Sequence, residues 1–257
     1  MLLAIDIGNT NVTFGVFEKD RLRATWRLAS DRDKLADEYA VDTQSLLQLH
    51  GIERAEVHAA VLASVVPQLT SVFEDVCQRY FKVTPLQVGA GVRTGVRILY
   101  DDPKEVGADR IVDAVAGLRL HKPPLILIDI GTTTVLNAVS RDGDYMGGAI
   151  APGIGMAADA LANRTAMLRR VELVPPRQAI GTNTAAALQS GILFGFAGLI
   201  ESMIERFKQE IGGDAWVIAT GGWSGLMSQL TKAFDHVDPD LTLTGLRLVY
   251  EMNEGPA

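Results

Sequence analysis

A chain of 257 residues with 47% hydrophobic and 21% charged positions and a mean hydropathy of +0.15 has ample apolar content to bury a core, which excludes disorder and a minimal disulfide-stapled module. Its 31 acidic residues against 24 basic ones give a formal charge of −7, and with no basic run denser than Arg169-Arg170 the chain is expected to bind no nucleic acid. An acid at Asp6 interrupts the apolar start, and no 18 apolar residues run together, so a cytoplasmic protein without a membrane partner is expected.

Residues 2–16, LLAIDIGNTNVTFGV, align without gaps on residues 125–139, LILIDIGTTTVLNAV, with identities at Leu2, Ile5, Asp6, Ile7, Gly8, Thr10, Val12 and Val16. Each copy reads as a buried strand, a tight Asp-x-Gly-[Asn/Thr]-Thr turn and a second β-branched strand, that is, a duplicated hairpin. Beyond the first copy, helical spacing covers 33–50 and stops at Gly51. VHAAVLASVV at 57–66 is a strand closed by Pro67, residues 68–81 are helical, and a short strand lies near Leu86 to Val88. Cys77, the single cysteine, falls on the apolar side of that helix and reads as a core residue.

Residues 89–107 are Gly-rich loop and extended chain, after which Ile111, Val115 and Leu118 mark a helix with Asp109 near its start. Lys122-Pro123-Pro124 marks the boundary between an N-terminal lobe, residues 1–121, and a C-terminal lobe, residues 122–257. After the second hairpin come a Gly147-Gly148 turn, a Gly-rich lead into a helix at 151–155, and a long helix from about Thr184 to Glu210. A strand from Trp216 to Ala219, a Gly221-Gly222 turn and a last helix near Leu226 to Phe234 complete the pattern. Strands followed by helices in both halves predict an α/β protein of two similar lobes.

A strand that delivers an aspartate into a Gly-Asn-Thr turn puts a carboxylate beside exposed backbone N–H groups, a combination suited to a nucleotide's phosphates and their Mg²⁺. In one isolated turn the same residues would be ordinary hairpin chemistry. The second copy adds a second carboxylate, Asp129, of the kind a phosphate-gripping ATPase core uses. Neither turn holds a Lys or Arg, and the Gly-x-x-x-x-Gly-Lys pattern is absent. The four histidines, His50, His58, His121 and His236, lack the spacings of a zinc site.

Taken together, MLLAIDIGNTNVTFGVF, GADR at 107–110, DIGTTT at 129–134, GGAIAPG at 147–153, GTNTAAALQSG at 181–191 and ATGG at 219–222 resemble, in order and spacing, the type III pantothenate kinases. That family belongs to the superfamily of acetate and sugar kinases, heat-shock chaperones and actin, and the resemblance runs from Leu3 to the tail at 239–253. It implies two ribonuclease-H-like lobes, a homodimer, and ATP-dependent phosphorylation of pantothenate, the first step of coenzyme A synthesis, with Mg²⁺ and a monovalent cation, K⁺ or NH₄⁺. Carried over by motif, Asp6, Ile7, Gly8, Asn9, Thr10, Asn11, Val12 and Thr13 bind ATP phosphates, Thr132 also contacts ATP, and Asp129 ligates the monovalent cation. Tyr100, Gly107, Ala108, Asp109, Arg110 and Thr184 bind pantothenate, with Asp109 as the catalytic base.

The chain departs from the family pattern at Thr133, where alanine is usual, and at Asn137, where an aspartate is frequent, so altered cation or nucleotide affinity is an expectation. Arg169 and Leu188 also differ from the common residues and are expected to be packing variation.

Overall fold

The structure is a computed structural model that describes residues 1–255. In chain order the strands are β1 (Leu2–Ile7), β2 (Asn11–Glu18), β3 (Arg21–Ala29), β4 (Ala59–Ser64), β5 (Leu86–Gln87), β6 (Leu125–Ile130), β7 (Thr133–Val139), β8 (Tyr145–Pro152), β9 (Trp216–Thr220) and β10 (His236–Val237). The helices are α1 (Ala36–Leu49), α2 (Pro67–Asp75), α3 (Ala108–Leu120), α4 (Ile154–Arg164), α5 (Thr184–Ile211), α6 (Ser224–Met227) and α7 (Leu241–Glu254). The chain forms two compact units, one of Met1–Val96, Asp102–Ala116 and everything from Thr242 on, the other of Arg97–Asp101 and Gly117–Leu241.

These units do not follow the 1–121 and 122–257 division read from the sequence. The last helix explains the difference, because α7 carries Thr242, whose hydroxyl donates to Asp113 of α3 at 2.7 Å, and Leu243, which packs on Gly15 of β2. Gly245 lies so close to the Val112 carbonyl that any Cβ would overlap it, and Leu246 and Val249 are wholly buried. Apolar burial on that scale holds a helix to its partner regardless of sequence distance.

The first unit has a mixed sheet in the order β3-β2-β1-β4-β5, an antiparallel meander β1-β2-β3 with β4 and β5 parallel to β1. The second has β10-β9-β6-β7-β8, the same arrangement with β6 in the place of β1. Both meanders even carry a bulge at the matching place, between Val16 and Phe17 and between Ala138 and Val139. The duplication is thus one of topology as well as sequence.

The register corrects the ungapped alignment, however. Asp6 pairs with Thr13, whereas Asp129 pairs with Val135, so the offset of 123 residues that relates β1 to β6 falls to 122 between β2 and β7. The second turn is one residue shorter, and because side chains alternate across a strand, a one-residue slip changes which positions share the aspartate's face.

In the first unit one sheet face is packed by α1, α2 and the π-helical stretch Val76–Phe81, around Phe14, Trp26, Tyr39, Leu47, Leu69 and Phe73. Pro67 opens α2 in its first turn, where a missing N–H costs nothing. Cys77 belongs to this core, and burial pushes its thiol up to about 12. In the second unit α4 and α5 cover the corresponding face with Ile154, Leu193, Phe196, Ile200 and Ile204. The helix expected near 226–234 is only the single turn α6; β3, α7 and the short β10 are unassigned in the sequence reading, and a full strand, β8, stands where a turn is read.

Candidate active site

In the first unit, β1, the central strand, carries Asp6 near its carboxyl end and the chain reverses through Gly8-Asn9-Thr10-Asn11. The Gly8 N–H donates to the Asn11 carbonyl at 3.1 Å, and a Cβ at Gly8 would stand 3.0 Å from that same oxygen, so a side chain there would crowd the turn. Asn9, Thr10 and Asn11 are exposed, Asp6 and Thr13 are half-buried, and Ile7 and Val12 are wholly buried and paired with each other. Ile7 and Val12 therefore present no side chain to a ligand.

Ser30, a residue the sequence reading passed over, fastens this turn from the side. Its hydroxyl donates to the Gly8 carbonyl at 2.6 Å and its N–H to the Thr10 carbonyl at 2.9 Å. The segment that carries Ser30 is itself anchored to the core: the Tyr39 hydroxyl accepts from the Asp31 N–H at 2.9 Å and lies 3.1 Å from the Ala29 carbonyl. Tyr39 ends an aromatic series in which Trp26 stacks on Phe14 at 5.3 Å, Phe14 meets Phe73 at 5.7 Å and Phe73 meets Tyr39 at 4.7 Å. Core packing thus sets the geometry of the turn.

The Gly107-Ala108-Asp109-Arg110 segment starts α3 on the same unit. The Val65 N–H donates to the Ile7 carbonyl at 3.1 Å, and Gly107 sits against Val65, so α3 begins beside the carboxyl ends of β1 and β4. Asp109 folds its carboxylate back over Gly107, where a Cβ would overlap it, and accepts the Arg110 N–H at 2.8 Å. Burial raises the pKa of Asp109, and the N–H and guanidinium of Arg110 work in the opposite direction. Arg110 itself is only 8% exposed.

In the second unit Asp129, next to last in β6, stands opposite Thr220 of β9 and Val135 of β7. Three glycines close around this turn. Gly131 stands 3.3 Å from the carboxylate measured from where its Cβ would be, and Gly153 presses on the Thr132 carbonyl. Gly221, at φ +88°, leaves no room for a Cβ between the Asp129 carboxylate and the Ile130 backbone. The Trp223 N–H donates to the Ile130 carbonyl at 3.0 Å, and Ser224 Oγ to the Gly221 carbonyl at 2.7 Å, fixing the Gly221-Gly222 turn over the strand end. Thr132 is exposed at the turn's tip.

Tyr100 also belongs to the second unit. Residues 97–100 are extended chain paired along β8, with the Tyr145 N–H donating to the Arg97 carbonyl and the Leu99 N–H to the Tyr145 carbonyl, each at 2.8 Å. Arg97 and Asp144 form an ion pair there, and the half-buried Tyr100 ring lies over Gly147. Asn137 is wholly buried and accepts the Tyr145 hydroxyl at 2.8 Å. It faces Leu127 in register, on the same sheet face as Asp129 but two residues farther down, where it serves the core of β7 and β8.

At α5 the side chain of Asn183 takes the N-cap, accepting the Ala186 N–H at 2.9 Å, which leaves the exposed Thr184 hydroxyl for other use. Gln189 and Ser190 of the same motif tie down the preceding segment, donating to the Glu172 carbonyl at 2.8 Å and the Ala179 carbonyl at 2.5 Å. The site residues thus fall into two groups: Asp6 to Thr13 with Gly107 to Arg110 in one unit, and Tyr100, Asp129, Thr132 and Thr184 in the other.

A profile of the family described as type III pantothenate kinase matches residues 2–206. A type III pantothenate kinase of Moorella thermoacetica is 51% identical over 253 residues, covering 98% of this chain and 100% of that protein. One from Dehalococcoides mccartyi strain CBDB1 is 48% identical over 253 residues, covering 98% and 96%. Among solved structures, the ethanolamine utilization protein EutJ of Carboxydothermus hydrogenoformans superposes with a TM-score of 0.52 at 17% identity, over 96% of this chain and 89% of that one, a likeness of fold.

Proposed function

We propose, from its place in the type III pantothenate kinase family, to which the chain belongs, that this protein transfers the terminal phosphoryl group of ATP to the hydroxyl of pantothenate and so opens coenzyme A synthesis. The observation that carries the reading is the pairing, in one unit, of the clamped Asp6–Thr13 turn with the Asp109 carboxylate at the start of α3. The fold is the two-lobed α/β architecture of the actin-like ATPases and sugar kinases.

In the transfer, the pantothenate hydroxyl oxygen forms a bond to the γ-phosphorus while the bond from that phosphorus to the β,γ-bridging oxygen breaks, and ADP leaves. Asp109 orients the hydroxyl and takes its proton, and because bond formation runs late in such transition states a weak base suffices. Burial strengthens that base by raising its pKa. Backbone N–H groups and side chains of the Asp6–Thr13 turn hold the phosphates, and the Arg110 guanidinium next to Asp109 is suited to the pantothenate carboxylate.

Mg²⁺ arrives with ATP and fits Asp6, since such ions take one or two carboxylates plus phosphate oxygens. Asp129 fits a K⁺ or NH₄⁺ ion: its half-buried carboxylate sits in a cradle of glycine backbone that any Cβ would fill. A bound cation there supplies positive charge to a turn that contains no Lys or Arg. A homodimer in the cytoplasm belongs to the same reading, with the exposed Gly191, Gly195 and Gly198 of α5 as a face open to close helix approach.

The test is ADP release by the purified protein with Mg-ATP, with and without pantothenate, in potassium and in potassium-free buffer. Pantothenate-stimulated, cation-dependent release supports the proposal. No stimulation in any cation would leave an accessory protein that kept the fold.

A further inference from the structure

We propose that Arg27 and Arg32 are nucleotide-binding residues that supply positive charge to the polyphosphate of ATP, an assignment that rests on the kinase reading above. Three observations carry it. First, Arg27 of β3 stands directly opposite Thr13 of β2, which stands opposite Asp6 of β1, so the three side chains form one row across one face of the sheet. Second, Arg32 donates from Nη2 to the Asn9 side-chain oxygen at 3.3 Å, which places a guanidinium at the tip of the phosphate turn.

The third observation is how charge is distributed along this edge strand. At the end of β3 away from the turn, Arg23 is paired with Glu18 at 2.5 Å, and Arg21 lies opposite Glu18 in register. Lys34 is likewise committed to Asp42. Arg27 and Arg32, at the turn end, are exposed and have no ion-pair partner among the described residues. Asp31 and Asp33 flank Arg32 in sequence, but Asp31 Oδ1 is occupied in accepting the Asp33 N–H at 3.0 Å, and neither acid pairs with the guanidinium. Of the three arginines on β3, Arg27 is the one beside the turn, Arg32 follows it on the next segment, and neither is ion-paired where a polyanion would lie; a planar guanidinium matches phosphate oxygens with two parallel hydrogen bonds.

The test is calorimetric titration of Mg-ATP and of inorganic tripolyphosphate into the full chain and into Arg27→Ala, Arg27→Lys, Arg32→Ala and Arg23→Ala, with thermal unfolding as the check on folding. Arg27→Ala is expected to weaken both ligands about tenfold and Arg32→Ala severalfold, with Arg27→Lys partly restored and Arg23→Ala unchanged. In turnover, the KM for ATP rises in Arg27→Ala while the KM for pantothenate stays put. Affinities within twofold of wild type in both turn-end variants overturn the assignment, and so does an equal loss in Arg23→Ala. Wild-type pantothenate turnover beside an unaltered Arg27→Ala affinity would leave the kinase reading standing without this addition. Absent turnover with a weakened Arg27→Ala would do the reverse.

Discussion

The two hairpins share a strand order, a bulge and an aspartate, yet their turns are built differently. Four residues, 8 to 11, separate the last pair of the first hairpin, Ile7 and Val12, whereas three, 131 to 133, separate Ile130 and Thr134 in the second. The longer turn is open, displays Asn9, Thr10 and Asn11, and is fastened by a neighbouring side chain, Ser30. The shorter one, which begins with Gly131, is hemmed by backbone, with Gly153 and Gly221 packed against it. One hairpin plan thus yields an open turn with exposed polar side chains and a tight turn closed around a carboxylate, the difference turning on a single residue of turn length.

The sharpest way to break that comparison is to remove the carboxylate proposed as the base, which only the first unit holds. Asp109→Asn should lower pantothenate-stimulated ADP release by roughly 10²- to 10⁴-fold while leaving Mg-ATP affinity within about twofold, read by steady-state kinetics and calorimetry. Next come the glycines. Gly221→Ala forces a Cβ into the Asp129 carboxylate at φ +88° and should cost about 3 kcal/mol in denaturant unfolding, against about 1 kcal/mol for Gly8→Ala, whose Cβ would crowd a single carbonyl by a few tenths of an ångström and meets no positive φ. Equal costs at the two positions would remove the distinction between a backbone-hemmed turn and an open one.

A smaller effect is expected at Ser30, where Ser30→Ala should cost about 1 kcal/mol and raise the KM for ATP more than that for pantothenate, because the turn loses its lateral fastening. Smallest is the pH response. Burial raises the Asp109 pKa, so the acid limb of kcat should lie above the ordinary carboxylate value, and activity should fall as pH drops through it. The sign for stability is opposite: the folded state holds that proton more tightly than the unfolded chain, so the charged form costs stability at neutral pH and the cost vanishes on acidification. Asp109→Asn should then unfold no earlier than wild type at pH 7.

Much of this was legible beforehand, for identifiable reasons. β1 and β6 are uninterrupted apolar runs ending in the same Asp-Ile-Gly, and α3 and α5 follow helical periodicity, so Asp6, Asp109, Asp129 and Thr184 could be set on elements from sequence alone. β3 was missed although RLRATWRLA alternates strictly, with Ala24 and Trp26 inward and three arginines outward, and with it went Ser30, Arg27 and Arg32. α7 hid behind Thr242, Thr244 and Gly245, poor helix formers that tertiary packing overrides. The register slip was invisible because β-branched residues match equally well one place along; only strand pairing distinguishes Val135 from Leu136 as the partner of Asp129.

The return of α7 to the first unit has a consequence for synthesis. The ribosome makes β1 to β5 first, then the whole of Gly117–Leu241, and only afterwards the helix that covers Gly15 and Val112. Until those last residues emerge, one face of the earliest-made sheet lacks its cover, and the nascent chain must carry that exposed apolar surface through most of translation.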